Sequence, residues 1–142
     1  MAIYRPDNRA RVMVAANPGW FTMPEWRKEK EKGQPYKEPY PYSMVDSPAG
    51  EAELRAGLQK RLIVIANEKG DAPDEENLER GDAVKKQGEN RIDRAENFIK
   101  AATAAAQELG VKLAWELNEA PEKVSDVYSV GDYAARIVYG KR

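Results

Sequence analysis

Glu89, Asp93 and Glu96 stand at i, i+4 and i+7, a spacing that lines three carboxylates along one helix face. Such a row can bind a hard cation or divide the work of acid and base. Arg91, Arg94 and Lys100 are interleaved with it, and surface ion pairs at i, i+3 and i+4 account for the same pattern. The acidic cluster Asp74-Glu75-Glu76 has a bland explanation too, because carboxylates suit the positive end of a helix. The chain contains no histidine and no cysteine. That removes the commonest general base, the commonest zinc ligand, thiolate nucleophiles and disulfides. Ser43, Ser47, Ser125 and Ser129 therefore lack any imidazole to activate them, and no SxxK string offers a lysine instead. GxGxxG and GxxxxGK[ST] strings are absent. Arg80-Gly81-Asp82 spells an integrin-binding tripeptide, but it falls inside a helical pattern. We expect no catalytic residue, no bound metal and no cofactor on this reading, and a non-enzymatic protein.

The elements that would carry these residues are unevenly distributed. Seven of the nine prolines and seven of the twelve aromatic residues lie in the first 48 positions. Gly33 through Ser43 cannot form a helix and makes a poor central strand, since each proline lacks a backbone donor. Large rings on such a stretch gain free energy only by contact. Trp20, Phe21, Trp26, Tyr36, Tyr40 and Tyr42 are thus the candidate interface residues, covering either a neighbouring subunit or the protein's own body.

Arg11 to Ala16 reads as a short strand stopped by Asn17-Pro18-Gly19. Ser47-Pro48 reads as a helix start, with Leu54, Leu58, Leu62 and Ile65 recurring at helical spacing. The run Leu62-Ile63-Val64-Ile65 is β-branched, so residues 62–66 are open to a strand reading. A second helix follows, capped by Asp71 or Asp74 and carrying the stripe Ile92, Ala95, Ile99, Ala102, Ala106 and Leu109 as far as Gly110. Gly81 and Gly88 lie on its weaker first half, and each costs about 1 kcal/mol relative to alanine. The helix therefore breaks or begins near Gly88. Val111 to Leu117 alternates as a half-buried strand, and Tyr133 to Tyr139 reads as a final strand pairing with it. The predicted fold class is α+β: a small, mostly antiparallel sheet packed with one or two helices, and an extended N-terminal proline- and aromatic-rich arm. The predicted division is residues 1–46 as arm with a short strand and 47–142 as compact body.

A 142-residue chain that is 42% apolar and 33% charged fits one domain with a small core. Its 23 basic and 24 acidic residues nearly cancel, which argues against nucleic acid and membrane partners. Residues 1–40 nevertheless carry a net +3 and residues 68–90 a net −4, an asymmetry that could orient docking. No apolar run approaches the roughly 20 residues that cross a bilayer, and charges interrupt any signal-peptide core at the start. The sequence thus leads us to expect a soluble protein, inside the cell or on a virion. Its partners would be other proteins or copies of itself, in a homo-oligomer or larger assembly such as a capsid with decoration or head proteins. Two alternatives stay open: a small regulatory protein docking through its acidic helix, and a carboxylate-based metal binder or enzyme.

Overall fold

A computed structural model describes residues 3–5, 7–27, 38–67, 78–124 and 126–140. Three strands, β1 (Met13–Ala16), β2 (Leu62–Asn67) and β3 (Trp115–Ala120), form one sheet in the order β1-β2-β3. Both pairings are parallel, with Val14 opposite Ile63 and Ile63 opposite Glu116. This corrects the expected antiparallel sheet. Parallel neighbours cannot be joined by tight turns; each needs a crossover, and both faces of the sheet must be covered. The fold is therefore α/β. Helix α1 (Glu51–Leu58) crosses from β1 to β2, and α2 (Asp82–Lys85) with α3 (Arg91–Leu109) crosses from β2 to β3. Helix α4 (Val127–Tyr139) closes the described chain.

Alternation along β2 feeds two cores. Val64 and Ala66 point into the larger one, with Leu54 and Leu58 of α1 and Ala95, Phe98, Ala102 and Ala106 of α3. Ile63 and Ile65 point the other way, to Val130 of α4, with Tyr133 and Ile137 packed alongside. A strand buried on both faces has no polar positions to mark a period of two, which is why β2 reads as an apolar run. The expected helix over 48–66 is in fact α1 followed by β2. Its leucine spacing runs through the join by coincidence, and the β-branched residues prevail in the second half. The start is also later than Ser47-Pro48. Gly50 is the N-cap residue, and Glu53 accepts its backbone N–H at 2.9 Å.

The expected strand at Tyr133 to Tyr139 is helix α4. Asp126 caps it by accepting the backbone N–H of Tyr128 and Ser129 at 2.9 and 3.0 Å. Val130, Tyr133, Ala134, Ile137 and Val138 then fall on its buried side at helical spacing. The strand expected at 111–117 begins at Trp115, later by four residues, and runs to Ala120. The long second helix does break near Gly88. The capping residues proposed at Asp71 and Asp74 lie outside the described residues. Asn90 starts α3 instead, accepting Asp93 N–H at 2.8 Å, and Gly110 ends it in the left-handed region at φ 64°.

Residues 38–49 lie against the body. Met44 and Val45 are buried, Met44 N donates to Glu25 O at 3.0 Å, and an isolated bridge joins Met23 to Ser43. Among the described residues no helix is long and apolar enough to cross a membrane.

Gly88 has φ 148°, and a Cβ there would meet Asp93 Cβ at 2.7 Å and Arg94 N at 2.8 Å. The Gly88→Ala variant is expected to lose at least about 1–3 kcal/mol, because strained backbone and a close approach to α3 add. A urea unfolding midpoint that matches the wild type would contradict this placement.

Candidate functional site at the carboxyl ends of the strands

In an open parallel sheet, ligands bind outside the carboxyl ends of the strands. Here those ends are Ala16, Asn67 and Ala120, and the described loops after Ala16 and Ala120 form the candidate site. Both loops are held by side chains that bond to backbone.

The loop after β1 turns at Asn17, which sits in the left-handed region at φ 49°, a conformation asparagine tolerates. Three side chains from the start of the second crossover hold it. Arg91 Nη1 donates to Asn17 O at 2.8 Å, and Arg94 Nη1 donates to Gly19 O at 2.6 Å. Arg94 Nε also donates to Gly88 O at 2.9 Å. The Gln87 amide pairs with Phe21 as a strand would, accepting Phe21 N–H at 2.9 Å and donating to Phe21 O at 2.6 Å. Arg94 is only 1% exposed. Burial pushes its pKa down, the Arg91 charge pushes the same way, and Glu89 and Glu79 oppose from a distance. Asn17 Oδ1 and Arg91 Nε are buried at this turn without a partner among the described residues.

The loop after β3 is held from the central strand. Asn67, at the carboxyl end of β2, donates its Nδ2 to Val124 O at 2.9 Å and to Glu122 O at 3.3 Å. This fixes Pro121 to Val124 over the sheet end and delivers Asp126 to cap α4. An open groove of about 590 Å³ runs between this loop and α4, lined by Lys123, Tyr133, Asp132 and Arg136 among others. Neither Lys123 nor Arg136 makes an ion pair among the described residues. Tyr133 donates its hydroxyl to Asn118 Oδ1 at 2.7 Å, which fixes the groove floor.

The six aromatic candidates scatter. Phe21 is buried, stacked on Phe98 at 4.3 Å, with Trp115 stacked beyond at 5.2 Å. Trp26 packs against the larger core. Trp20 and Tyr42 lie together at 5.2 Å on the β1 side of the site, and Tyr40 meets Tyr4 edge-on at 5.9 Å. Tyr36 lies outside the described residues. Among the described residues no three carboxylates converge on a metal-sized point. Asp93 is bonded to Asn90 instead. Of the serines, Ser43 is buried and accepts Val45 N–H, Ser129 is bonded to Asp126, and Ser125 lies outside the described residues.

No family model matches the chain. No curated protein matches it either. Solved structures do. Poly(aspartic acid) hydrolase-1 from Sphingomonas sp. KT-1 is 31% identical, with a TM-score of 0.83 over 97% of this chain. LpqC, a poly(3-hydroxybutyrate) depolymerase from Bordetella parapertussis, is 22% identical, with a TM-score of 0.78 over 99% of this chain, a likeness of fold alone. The chain spans about half the length of each, 48% and 46%. The 31%-identical neighbour is a hydrolase by name, which overturns the expectation of a non-enzymatic structural or assembly protein.

The site-forming residues Asn67, Gln87, Arg91 and Arg94 are not legible as such in the sequence. Arg94 offered one signal: it flanks Ala95 on the face that also carries Phe98, so an arginine enters the core side of α3.

Replacing Asn67 by alanine removes the donor that holds the 121–124 loop and takes the Asn67 amide from the buried Val124 carbonyl. The expected cost is about 1–3 kcal/mol, read as a lower urea midpoint together with faster hydrogen exchange at Val124. Unchanged exchange there would refute the pinning role. The Asp126 carboxyl is held below the usual carboxylate range by hydrogen bonds from the Ser129 backbone and hydroxyl and from Tyr128 N–H. Its contribution is complete above the ordinary value of 3.8 and disappears as pH falls through the lowered one. Helical signal from α4 should thus fall below about pH 4 in the wild type and show less pH dependence in Asp126→Asn.

Proposed function

We propose that this chain forms the substrate-holding part of a hydrolase that cuts acyl links in an anionic polymer. The observation that carries the reading is the match to a poly(aspartic acid) hydrolase over nearly the whole chain at 31% identity. The groove beside α4 agrees with it in charge. Lys123 and Arg136 present two cations against the single carboxylate of Asp132, in a lining that also includes apolar Val124 and Ile137.

Acyl hydrolysis needs a nucleophile, a base to activate it and donors that face the developing oxyanion. The chain has no imidazole and no Gly-x-Ser-x-Gly string, the strained turn that displays a serine at the top of such sheets. Its described serines are committed to local hydrogen bonds. What these residues supply is position. Asn67 fixes one loop over the sheet end, Arg91 and Arg94 fix the other, and the groove cations orient a polyanion along α4. Nucleophile and base come from a group outside the described residues.

Calorimetric titration with oligo-aspartate tests this. Saturable, salt-sensitive binding is expected, and Lys123→Ala with Arg136→Ala should weaken it about 2–30-fold, since exposed ion pairs contribute about 0.2–1 kcal/mol each. No heat with oligo-aspartate, or equal binding by the double variant, would refute the reading.

A further inference from the structure

The groove beside α4 holds one charge that a polyanion does not explain. Its described lining carries Lys123 and Arg136, and also Asp132. A ligand with negative groups alone gains from the first two and is repelled by the third. Asp132 stands four residues before Arg136 on α4, a spacing that allows a helix-surface ion pair. Yet among the described residues it pairs with neither Arg136 nor Lys123. The neutral polar groups of the lining are committed elsewhere. Tyr133 donates its hydroxyl to Asn118 Oδ1, and Ser129 donates its hydroxyl to Asp126 Oδ2 at 2.8 Å. The groove therefore offers three exposed, uncommitted charges, two positive and one negative, beside apolar Val124 and Ile137.

We infer that Asp132 receives the free α-ammonium group of an acidic peptide whose carboxylates lie on Arg136 and Lys123, so that the groove reads a chain end rather than a chain interior. In an oligo-aspartate only the amino terminus carries a positive charge. An internal segment would set a carboxylate, or at most one neutral amide, against Asp132 and leave its charge unmet. The spacing suits the end. Asp132 and Arg136 are about 6 Å apart along the helix axis, at about 1.5 Å per residue. An extended peptide advances about 3.3–3.6 Å per residue, so the ammonium and a carboxylate of the first or second aspartate span that separation. The inference takes its acidic-peptide ligand from the hydrolase reading, while the sign of the charge at Asp132 selects the end.

Calorimetric titration of the full 142-residue chain tests this. The probes are tetra-aspartate with a free amino terminus, its N-acetylated form and monomeric aspartate. Acetylation makes the peptide more negative, so a groove that reads anionic charge alone would favour the acetylated form. The free form is instead expected to bind about 1.5–5-fold more tightly, the worth of one exposed ion pair. In Asp132→Asn that preference is lost or reversed, with circular dichroism showing an unchanged fold. A merely structural role for Asp132 would change both affinities by the same factor and overturn the inference. Equal or tighter binding of the acetylated form by the wild type would overturn it too, and leave the polyanion groove standing. Monomeric aspartate binding as tightly as the tetramer would assign the groove to a free amino acid in place of a chain end. If neither peptide binds, the hydrolase reading fails and the inference fails with it.

Discussion

A buried guanidinium organises this protein. Arg94 is almost wholly enclosed, yet it makes no carboxylate pair among the described residues and spends its donors on the carbonyls of Gly88 and Gly19. Burying a charge costs several kcal/mol unless its hydrogen bonds are met. The fold meets them with backbone from two segments far apart in sequence. That requirement fixes how the second crossover enters α3. Residue 88 must come so close to the first turn of the helix that no Cβ fits. The same requirement fixes the loop after β1, which has to present Gly19 O inward. Gln87 extends the clamp by one residue, binding Phe21 through both amide atoms. Phe21 is thereby aligned on Phe98 and Trp115, so a polar clamp sets the register of the main aromatic stack.

The sheet follows a different constraint. Three parallel strands leave their carboxyl ends together, and every connection must travel back over a face. Helices α1 and α3 take one face and α4 the other. The loops at the carboxyl ends are then the only segments free to vary without disturbing a crossover, which is why binding concentrates there. Asn67 shows how little is needed to shape such a loop: one amide at the end of the most buried strand holds the following turn by its carbonyls.

Much of this was legible in the sequence where a single period governed a segment. Met13–Ala16, the α3 stripe, its break near Gly88 and its stop at Gly110 follow from local rules. What was not legible depended on long-range pairing. Leu62 to Ile65 continued the spacing of Leu54 and Leu58, and only the neighbours β1 and β3 decide that it extends. Tyr133 to Tyr139 is rich in β-branched and aromatic residues, so its local preference is for a strand. Asp126 and Ser129, seven and four residues ahead of Tyr133, hold the cap that overrides it. The prolines of Gly33 through Ser43 speak against helix, of which only residues 38–43 are described, but exclusion of regular structure is not exposure. Ser43 to Val45 are buried against the body by single hydrogen bonds and an isolated bridge, contacts with no sequence period. The site itself was hidden because its makers bond to backbone. A carboxylate row announces chemistry by its spacing, whereas Arg94 bonded to Gly19 O, 75 positions away, has no local signature.

Side chains that bond only to main-chain carbonyls shape a loop whatever residues that loop carries. The clamps at Asn67 and Arg94 therefore hold these loops whatever side chains the loops present. This separates two properties that are often inferred together, since a fold can be retained while the reactive groups change. A protein with no histidine yet with a hydrolase-like sheet is a case where that separation can be seen. The loop geometry rests on an asparagine, a glutamine and two arginines. The acid–base chemistry, which depends on residue type at one or two points, has no counterpart among the same residues. Among the described residues, Glu116 and Glu119 put charge on one outer strand of the sheet, and β1, the other outer strand, carries none.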